Sequence, residues 1–256
     1  MSILERFQLK GKVAIVTGCS RLNGLGFGMA EGLAEAGADI VGVDLESFRD
    51  AALYMDKGGR RFLGIQEDLS RTGAIHRVIE QTLQVWGRID ILVNNAGIIR
   101  RSPAIDFSEN DWDEVLNLNL KSLFFSSQAV ARVFLNQGGG GKIIQVASML
   151  SFQGGINVPA YTASKSGVAG VTRALANEWA KHGINVNAIA PGYMATENTA
   201  ALRADSARAA SILDRIPAGR WGDNLDLKGA VVFLASSASD YVHGHILAVD
   251  GGWLAR

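Results

Sequence analysis

The sequence predicts a single α/β domain, a doubly wound seven-stranded parallel sheet with helices on both faces, and three observations predict it. Short β-branched runs alternate along the whole chain with longer stretches of helical spacing, the pattern of βα units laid into one parallel sheet. A glycine-rich stretch follows the first run, and an aspartate closes the second. The 256 residues hold no Pro- or Ser-rich linker, and about 250 residues is an ordinary length for one α/β unit.

Taken in order, Val13–Val16, Ile40–Val43, Ile89–Val93, Lys142–Val146, Ile184–Ile189 and Ile246–Val249 read as buried strands, with Phe62–Ile65 completing the seven. Between them, Phe27–Ala36 places Met29, Leu33 and Ala36 on one helical face, and Ile75–Trp86 does the same with Val78, Ile79, Leu83 and Trp86. Trp112–Leu135 carries a longer apolar stripe, and a further helix opens near Tyr161. On that last helix Val168, Val171, Leu175 and Trp179 form a stripe that fits either the chain's own sheet or a neighbouring subunit. Gly138–Gly141 reads as a flexible turn. Residues 193–223, rich in alanine and charge and holding Pro217, follow the strand at 184–190, where ligands approach such a sheet, and are expected to form a substrate lid.

Composition narrows the function. With 48% hydrophobic and 20% charged residues the chain can build a sizeable core, which excludes disorder. Lys+Arg and Asp+Glu are equal at 25 each, and no basic block occurs, so neither a nucleic acid nor an anionic membrane is the expected partner; a small molecule is. Cys19 stands alone, there is no CxxC, and His76, His182, His243 and His245 are scattered, so neither a disulfide nor a metal site is expected. No apolar run approaches a membrane span, and Val13–Val16 is too short for a signal-peptide core. The expected location is the cytoplasm.

The stretch Thr17-Gly18-Cys19-Ser20-Arg21-Leu22-Asn23-Gly24-Leu25-Gly26 joins the first strand to the first helix. Glycines there let backbone amides approach a pyrophosphate, and the helix N-terminus favours the anion. Asp44 lies twenty positions beyond Gly24 at the end of the second strand, where a carboxylate accepts the ribose hydroxyls of NAD and repels the 2′-phosphate of NADP. Arg21 argues the other way, because a guanidinium pairs well with a 2′-phosphate. NAD is the expected cofactor, with NADP kept as the alternative.

Farther along, Asn94-Asn95-Ala96-Gly97 follows the fourth strand, Ser148 stands thirteen positions before Tyr161, and Tyr161-Thr162-Ala163-Ser164-Lys165 opens a helix. With the glycine loop, these resemble the short-chain dehydrogenase/reductase family over essentially the whole chain. The resemblance implies a Rossmann domain and a catalytic tetrad of Asn119, Ser148, Tyr161 and Lys165. It also implies cofactor contacts at Gly18, Asn23, Gly24, Leu25, Gly26, Asp44, Asp68, Leu69, Asn95, Ala96, Gly97, Tyr161, Lys165, Pro191, Gly192 and Thr196, and a homotetramer. One departure stands out: family loops read TGxxxGxG, whereas five residues separate Gly18 from Gly24 here.

The runs at 147–155, 216–222 and 248–256 are similar to those of family members acting on sugar acids, which implies 2-dehydro-3-deoxy-D-gluconate oxidised or reduced at C5, or 2-deoxy-D-gluconate at C3. Gluconate, an aldose and a 3-oxoacyl thioester are alternative substrates within the family, and a dinucleotide-sensing binding module is the non-enzymatic alternative. Substrate contacts are expected from Ser148, Gln153, Tyr161 and a cation for the carboxylate. Arg101 is the first choice for that cation, ahead of Arg100, Arg220 and Arg256.

The chemistry of the tetrad can be stated from its spacing. Tyr161 and Lys165, at i and i+4, share a helix face with Cβ atoms roughly 5–6 Å apart. A phenol of ordinary pKa about 10 must fall by roughly 3 units, or about 4 kcal/mol, to act as a base near neutrality. A unit charge at ~4 Å and an effective dielectric of ~20 supplies about that much, so Lys165 is expected to lower Tyr161. Ser148 is expected to position the substrate oxygen, and Asn119 to hold a water linking Lys165 to solvent.

Overall fold

The computed structural model describes residues 2–256. It contains seven strands: β1 (Val13–Thr17), β2 (Asp39–Asp44), β3 (Phe62–Gln66), β4 (Ile91–Asn94), β5 (Gly141–Val146), β6 (Ile184–Pro191) and β7 (Ile246–Val249). All pair in parallel, in the order β3-β2-β1-β4-β5-β6-β7. The chain's direction across the sheet reverses between β1 and β4, and open α/β sheets bind ligands in the crevice beyond the carboxyl ends at such a point.

The helices are α1 (Leu25–Glu35), α2 (Arg49–Lys57), α3 (Ala74–Trp86), α4 (Glu109–Leu116), α5 (Leu123–Gln137), α6 (Pro159–Trp179), α7 (Ala200–Ala204), α8 (Ser206–Arg215) and α9 (Lys228–Ala235). Alternation along the strands sorts them into two layers. Ala14 and Val16 of β1 share a core with Met29 and Leu33 of α1, Met55 of α2 and Val231 of α9. Val13 and Ile15 face the opposite layer, packing with Val78 of α3, Phe134 of α5 and Leu175 of α6. The strands are therefore apolar on both faces, which is why they read as short continuous runs.

All seven expected strands are present, the Phe62–Ile65 run included. The long stripe from Trp112 to Leu135 is broken in the middle: Asn117–Ser122 forms a π-helical turn between α4 and α5. The stripe on α6 faces inward, since Val168 and Leu175 are buried and Val171 and Trp179 pack beside them; its apolarity serves this chain's own sheet. Gly138 is less a flexible linker than a left-handed helix stop for α5. Residues 193–223 carry α7 and α8 and are closed at the base by a bridge between Met194 and Gly222. Ile212 and Ile216 anchor the segment to Met149 and Trp253.

At the opposite edge of the sheet, Asp90 ties β1 to the start of β4. Its carboxylate accepts from Val13 N at 3.0 Å, Arg88 Nε at 2.8 Å, Arg88 Nη2 at 2.6 Å and Lys12 Nζ at 3.2 Å. Burial opposes ionisation, but the Arg88 fork, the Val13 amide and Lys12 together hold the carboxyl below its ordinary range. A depressed native pKa stabilises the fold above the unfolded-state value of about 3.9, and that contribution is lost as pH falls through the native value. Asp90→Asn is expected to lower the unfolding free energy by about 1–3 kcal/mol at pH 7, with the gap from wild type closing as pH falls from 5 toward 3. Urea unfolding across that range checks it; equal stability at pH 7 would remove Asp90 from the account.

Candidate active site

The site is assembled at the carboxyl ends of β1 and β4. The side-chain amide of Asn95 donates to Thr17 O at 2.9 Å and Gly18 O at 2.8 Å, while Thr17 Oγ1 accepts from the backbone N–H of Asn95 and of Ala96, both at 2.9 Å. Gly18 is left-handed at φ 68°, and a Cβ on Gly26 would stand 2.2 Å from Gly18 O. Glycine at both positions lets α1 start directly on the loop. A Cβ on Gly97 would stand 3.0 Å from Asn119 Oδ1.

The loop fits a dinucleotide. Gly24 is the N-cap of α1 and supplies no side-chain cap, so the first amides of that helix keep their donors for an anion. Ser20 Oγ is buried without a hydrogen-bond partner. Leu25 packs on the core beneath, and Asn23 is exposed on the outside of the loop. Asp44 is where the sequence places it, at the end of β2, with Oδ2 accepting from Ser20 N at 3.0 Å and Oδ1 from Glu46 N at 3.3 Å. Arg21 donates through Nε to Glu46 at 2.8 Å, pairs again with Glu46 through Nη2, and pairs with Glu197 through Nη1. Asp68 and Leu69 follow β3, where Asp68 accepts from the amide and hydroxyl of Ser70 and from Arg71, holding its own turn. At the other end Pro191 closes β6, Gly192 N donates to Val249 O at 3.0 Å, and Thr196 caps the short helix Glu197–Thr199.

The candidate catalytic groups meet between β5 and α6. Ser148 follows β5, is buried, and accepts at Oγ from Leu150 N at 3.1 Å. Tyr161 lies in the first turn of α6, which Pro159 opens. Burial pushes the Tyr161 phenol up, against a hydrogen bond from Ser148 and the positive charge of Arg101. Lys165, 4% exposed, donates from Nζ to Val146 O at 2.6 Å and stands 5.6 Å from the centroid of the Tyr161 ring. Burial pulls its own pKa down to about 8. Where the spacing predicts a phenol lowered by Lys165, burial raises it; Lys165 Nζ is turned to the Val146 carbonyl, and Ser148 and Arg101 only oppose the rise.

Asn119 sits on the π-helical turn with its amide engaged on three sides. Its Oδ1 accepts from Ile98 N at 2.8 Å, and Nδ2 donates to Ile98 O at 2.9 Å and Ser164 Oγ at 3.2 Å. Ser164 in turn donates to Tyr161 O at 2.8 Å. Ser151 Oγ accepts from Ser148 N at 3.3 Å and donates to Lys165 O at 2.6 Å. Thr17, Ser151 and Ser164 are thus supporting residues that the tetrad reading missed, each written in the sequence only as a hydroxyl beside a motif.

The four candidate cations separate cleanly. Arg100 is held by Glu114 at 2.9 Å and Asp111 at 3.4 Å on an exposed surface, Arg220 forks onto Asp226 at 2.7 and 2.6 Å, and Arg256 donates to Asp214 O at 2.8 Å. Arg101 is the one whose charge acts on Tyr161. Gln153 is half-buried in the turn after Ser148, its backbone N–H donating to Met149 O at 3.2 Å. Among the described residues no helix is long and apolar enough to cross a membrane.

Comparison with known proteins agrees with this geometry. The family model described as enoyl-(acyl carrier protein) reductase matches residues 18–254. A 2-dehydro-3-deoxy-D-gluconate 5-dehydrogenase of Escherichia coli is 64% identical over 254 residues, covering 99% of this chain and 100% of the relative. A protein of the same name from Bacillus subtilis is 54% identical, covering 98% of each. Among solved structures, a gluconate 5-dehydrogenase from Burkholderia cenocepacia in complex with NADP and tartrate superposes with a TM-score of 0.94 at 40% identity, covering 100% of both chains. With a glycine loop at the switch point, a Ser–Tyr–Lys set beside it and full-length relatives of this kind, the chain belongs to the short-chain dehydrogenase/reductase family and is an NAD(P)-dependent alcohol dehydrogenase/ketoreductase.

Proposed function

We propose that this enzyme interconverts a secondary alcohol and a ketone on a sugar acid, with 2-dehydro-3-deoxy-D-gluconate, reacting at C5, as the substrate and NAD as the partner dinucleotide. The observation that carries the substrate class is Arg101, a cation on the loop after β4 whose charge acts on the Tyr161 phenol. A carboxylate held there is registered against the reacting hydroxyl. The names of the full-length relatives support the same class. Support for NAD comes from two carboxylates, Asp44 and Glu46, at the end of β2, where a 2′-phosphate would meet like charge.

The dinucleotide supplies the hydride acceptor or donor at its nicotinamide ring. The loop Gly18–Gly26 and the first turn of α1 hold its pyrophosphate, and Asp44 its adenine ribose, with Asp68 and Leu69 flanking the base and Asn23 and Leu25 lining the loop. Asn95-Ala96-Gly97 and the turn Pro191-Gly192 with Thr196 enclose the nicotinamide end. Tyr161 takes the alcohol proton in oxidation and returns it in reduction. Ser148 donates to the substrate oxygen as its charge changes, Gln153 contacts the sugar hydroxyls, and Lys165 binds the nicotinamide ribose from its place below Tyr161. Asn119 keeps one lone pair of Oδ1 for the water that links Lys165 to solvent. Residues 193–223 close over the substrate as a lid, and the working assembly is a homotetramer.

Tyr161→Phe is expected to abolish turnover while NADH binding stays within about twofold, because the hydroxyl acts on the proton and not on the dinucleotide. Retention of a tenth of wild-type activity in a folded variant would sink the assignment. Arg101→Ala is expected to lower kcat/KM for the sugar acid by about 10- to 100-fold, the scale of a charge-assisted pair, and to lower it by a smaller factor for a neutral analogue without the carboxylate, where only the charge near the Tyr161 phenol is lost. Equal losses on both substrates, or none, would take Arg101 out of the site.

A further inference from the structure

The lengthened glycine loop touches both ends of the 193–223 segment. From its middle, Arg21 pairs with Glu197, the first residue of the short helix that begins the segment's excursion. One residue on, Leu22 O accepts from Asn224 Nδ2 at 2.9 Å, just past the segment's end. Asn224 is itself pressed onto α1, since a Cβ on Gly28 would stand 2.5 Å from its carbonyl oxygen. These contacts come from a loop with five residues between its first two glycines, where the usual number is three.

Arg21 also reaches the other side of the crevice. Glu46 follows β2 and Glu197 follows β6, strands four positions apart in the sheet. One guanidinium joins the two, so Glu46–Arg21–Glu197 links the loop after β2 to the loop after β6 at the carboxyl edge. A planar fork with five donors can serve two carboxylates at once; an ammonium on a flexible stem serves them poorly. The same guanidinium lies under the charge of Asp44, beside the place of the adenine ribose.

We propose that Arg21 is a cofactor-specificity residue that acts through the lid: a dinucleotide with a free 2′-hydroxyl leaves Arg21 on Glu46 and Glu197, whereas a 2′-phosphate draws the guanidinium away and releases Glu197. Discrimination against NADP then has two parts, repulsion at Asp44 and Glu46 and the loss of a lid contact. This rests on the NAD reading above and deepens it.

The test uses the full-length protein with NADH and NADPH as probes. Binding is followed by the fluorescence of the reduced nicotinamide, and lid order by tryptic cleavage at Arg203, Arg208 and Arg215. In wild type, saturating NADH should protect those sites more than saturating NADPH. Glu197→Gln should weaken NADH by about two- to fivefold, the scale of a half-exposed charge pair, leave NADPH unchanged and erase the difference in protection. Arg21→Lys should do the same to NADH, which guards against an effect peculiar to one variant. Equal shifts for both dinucleotides, no shift, or equal protection of the wild-type lid would overturn the proposal. Failure of the NAD reading looks different: wild type would bind NADPH more tightly than NADH, while the coupling would still be judged by whether Glu197→Gln moves one dinucleotide alone.

Discussion

The side-chain amide of Asn95 donates both of its hydrogens to consecutive carbonyls, Thr17 and Gly18, across the gap where β1 and β4 part. These carbonyls lie at the end of β1, where the backbone leaves the sheet's ladder and water would otherwise have to satisfy them. With Thr17 Oγ1 returning the contact to the amides of Asn95 and Ala96, the two strand ends become one rigid corner. The glycine loop departs from one side of it and the Asn95–Arg101 loop from the other. Every later position, from the start of α1 to the placement of Arg101, inherits its coordinates from that clasp.

Tyr161 and Lys165 are held in an environment that disfavours charge on either. Burial raises the phenol of Tyr161 and lowers the ammonium of Lys165, so the pair leans toward its neutral forms. The influences that oppose this come from a hydroxyl on β5's exit and a guanidinium on β4's exit. A phenol tuned from outside its own helix responds to what enters the crevice, because anything that pairs with Arg101 also changes the field at Tyr161. The charge of a bound molecule and the proton affinity of the phenol are in this way linked by geometry.

Much of this was legible in the sequence, for a physical reason. Strands apolar on both faces cannot be mistaken for half-buried ones, and a glycine loop after the first of them fixes the switch point; even the faint run at Phe62 proved to be β3. The tetrad was readable because Ser148, Tyr161 and Lys165 lie within eighteen positions and two of them share one helix face. What could not be read was direction and distance. Spacing put Lys165 beside Tyr161 but not its Nζ on Val146 O. The α6 stripe was apolar whether it met a sheet or another subunit, and only packing decided. Arg21 and Glu197 are separated by most of the chain, and charge counting gives no hint that they meet. Helices α2 and α9 escaped notice because short helices against a broad sheet need little periodicity of their own.

The π-helical turn at Asn117–Ser122 has a consequence for how this chain can change. A π-turn accommodates one residue more than the surrounding α-helical ladder. Removing that residue would regularise the backbone and keep α5 in phase, because the widened turn is what absorbs it. Val130 and Phe134 of α5 would go on filling the layer beneath β4 and β5, while Asn119 would swing off Ile98 and Ser164. The extra residue therefore serves the crevice and not the core. A deletion here spares the packing and displaces one amide, a length constraint that composition does not reveal.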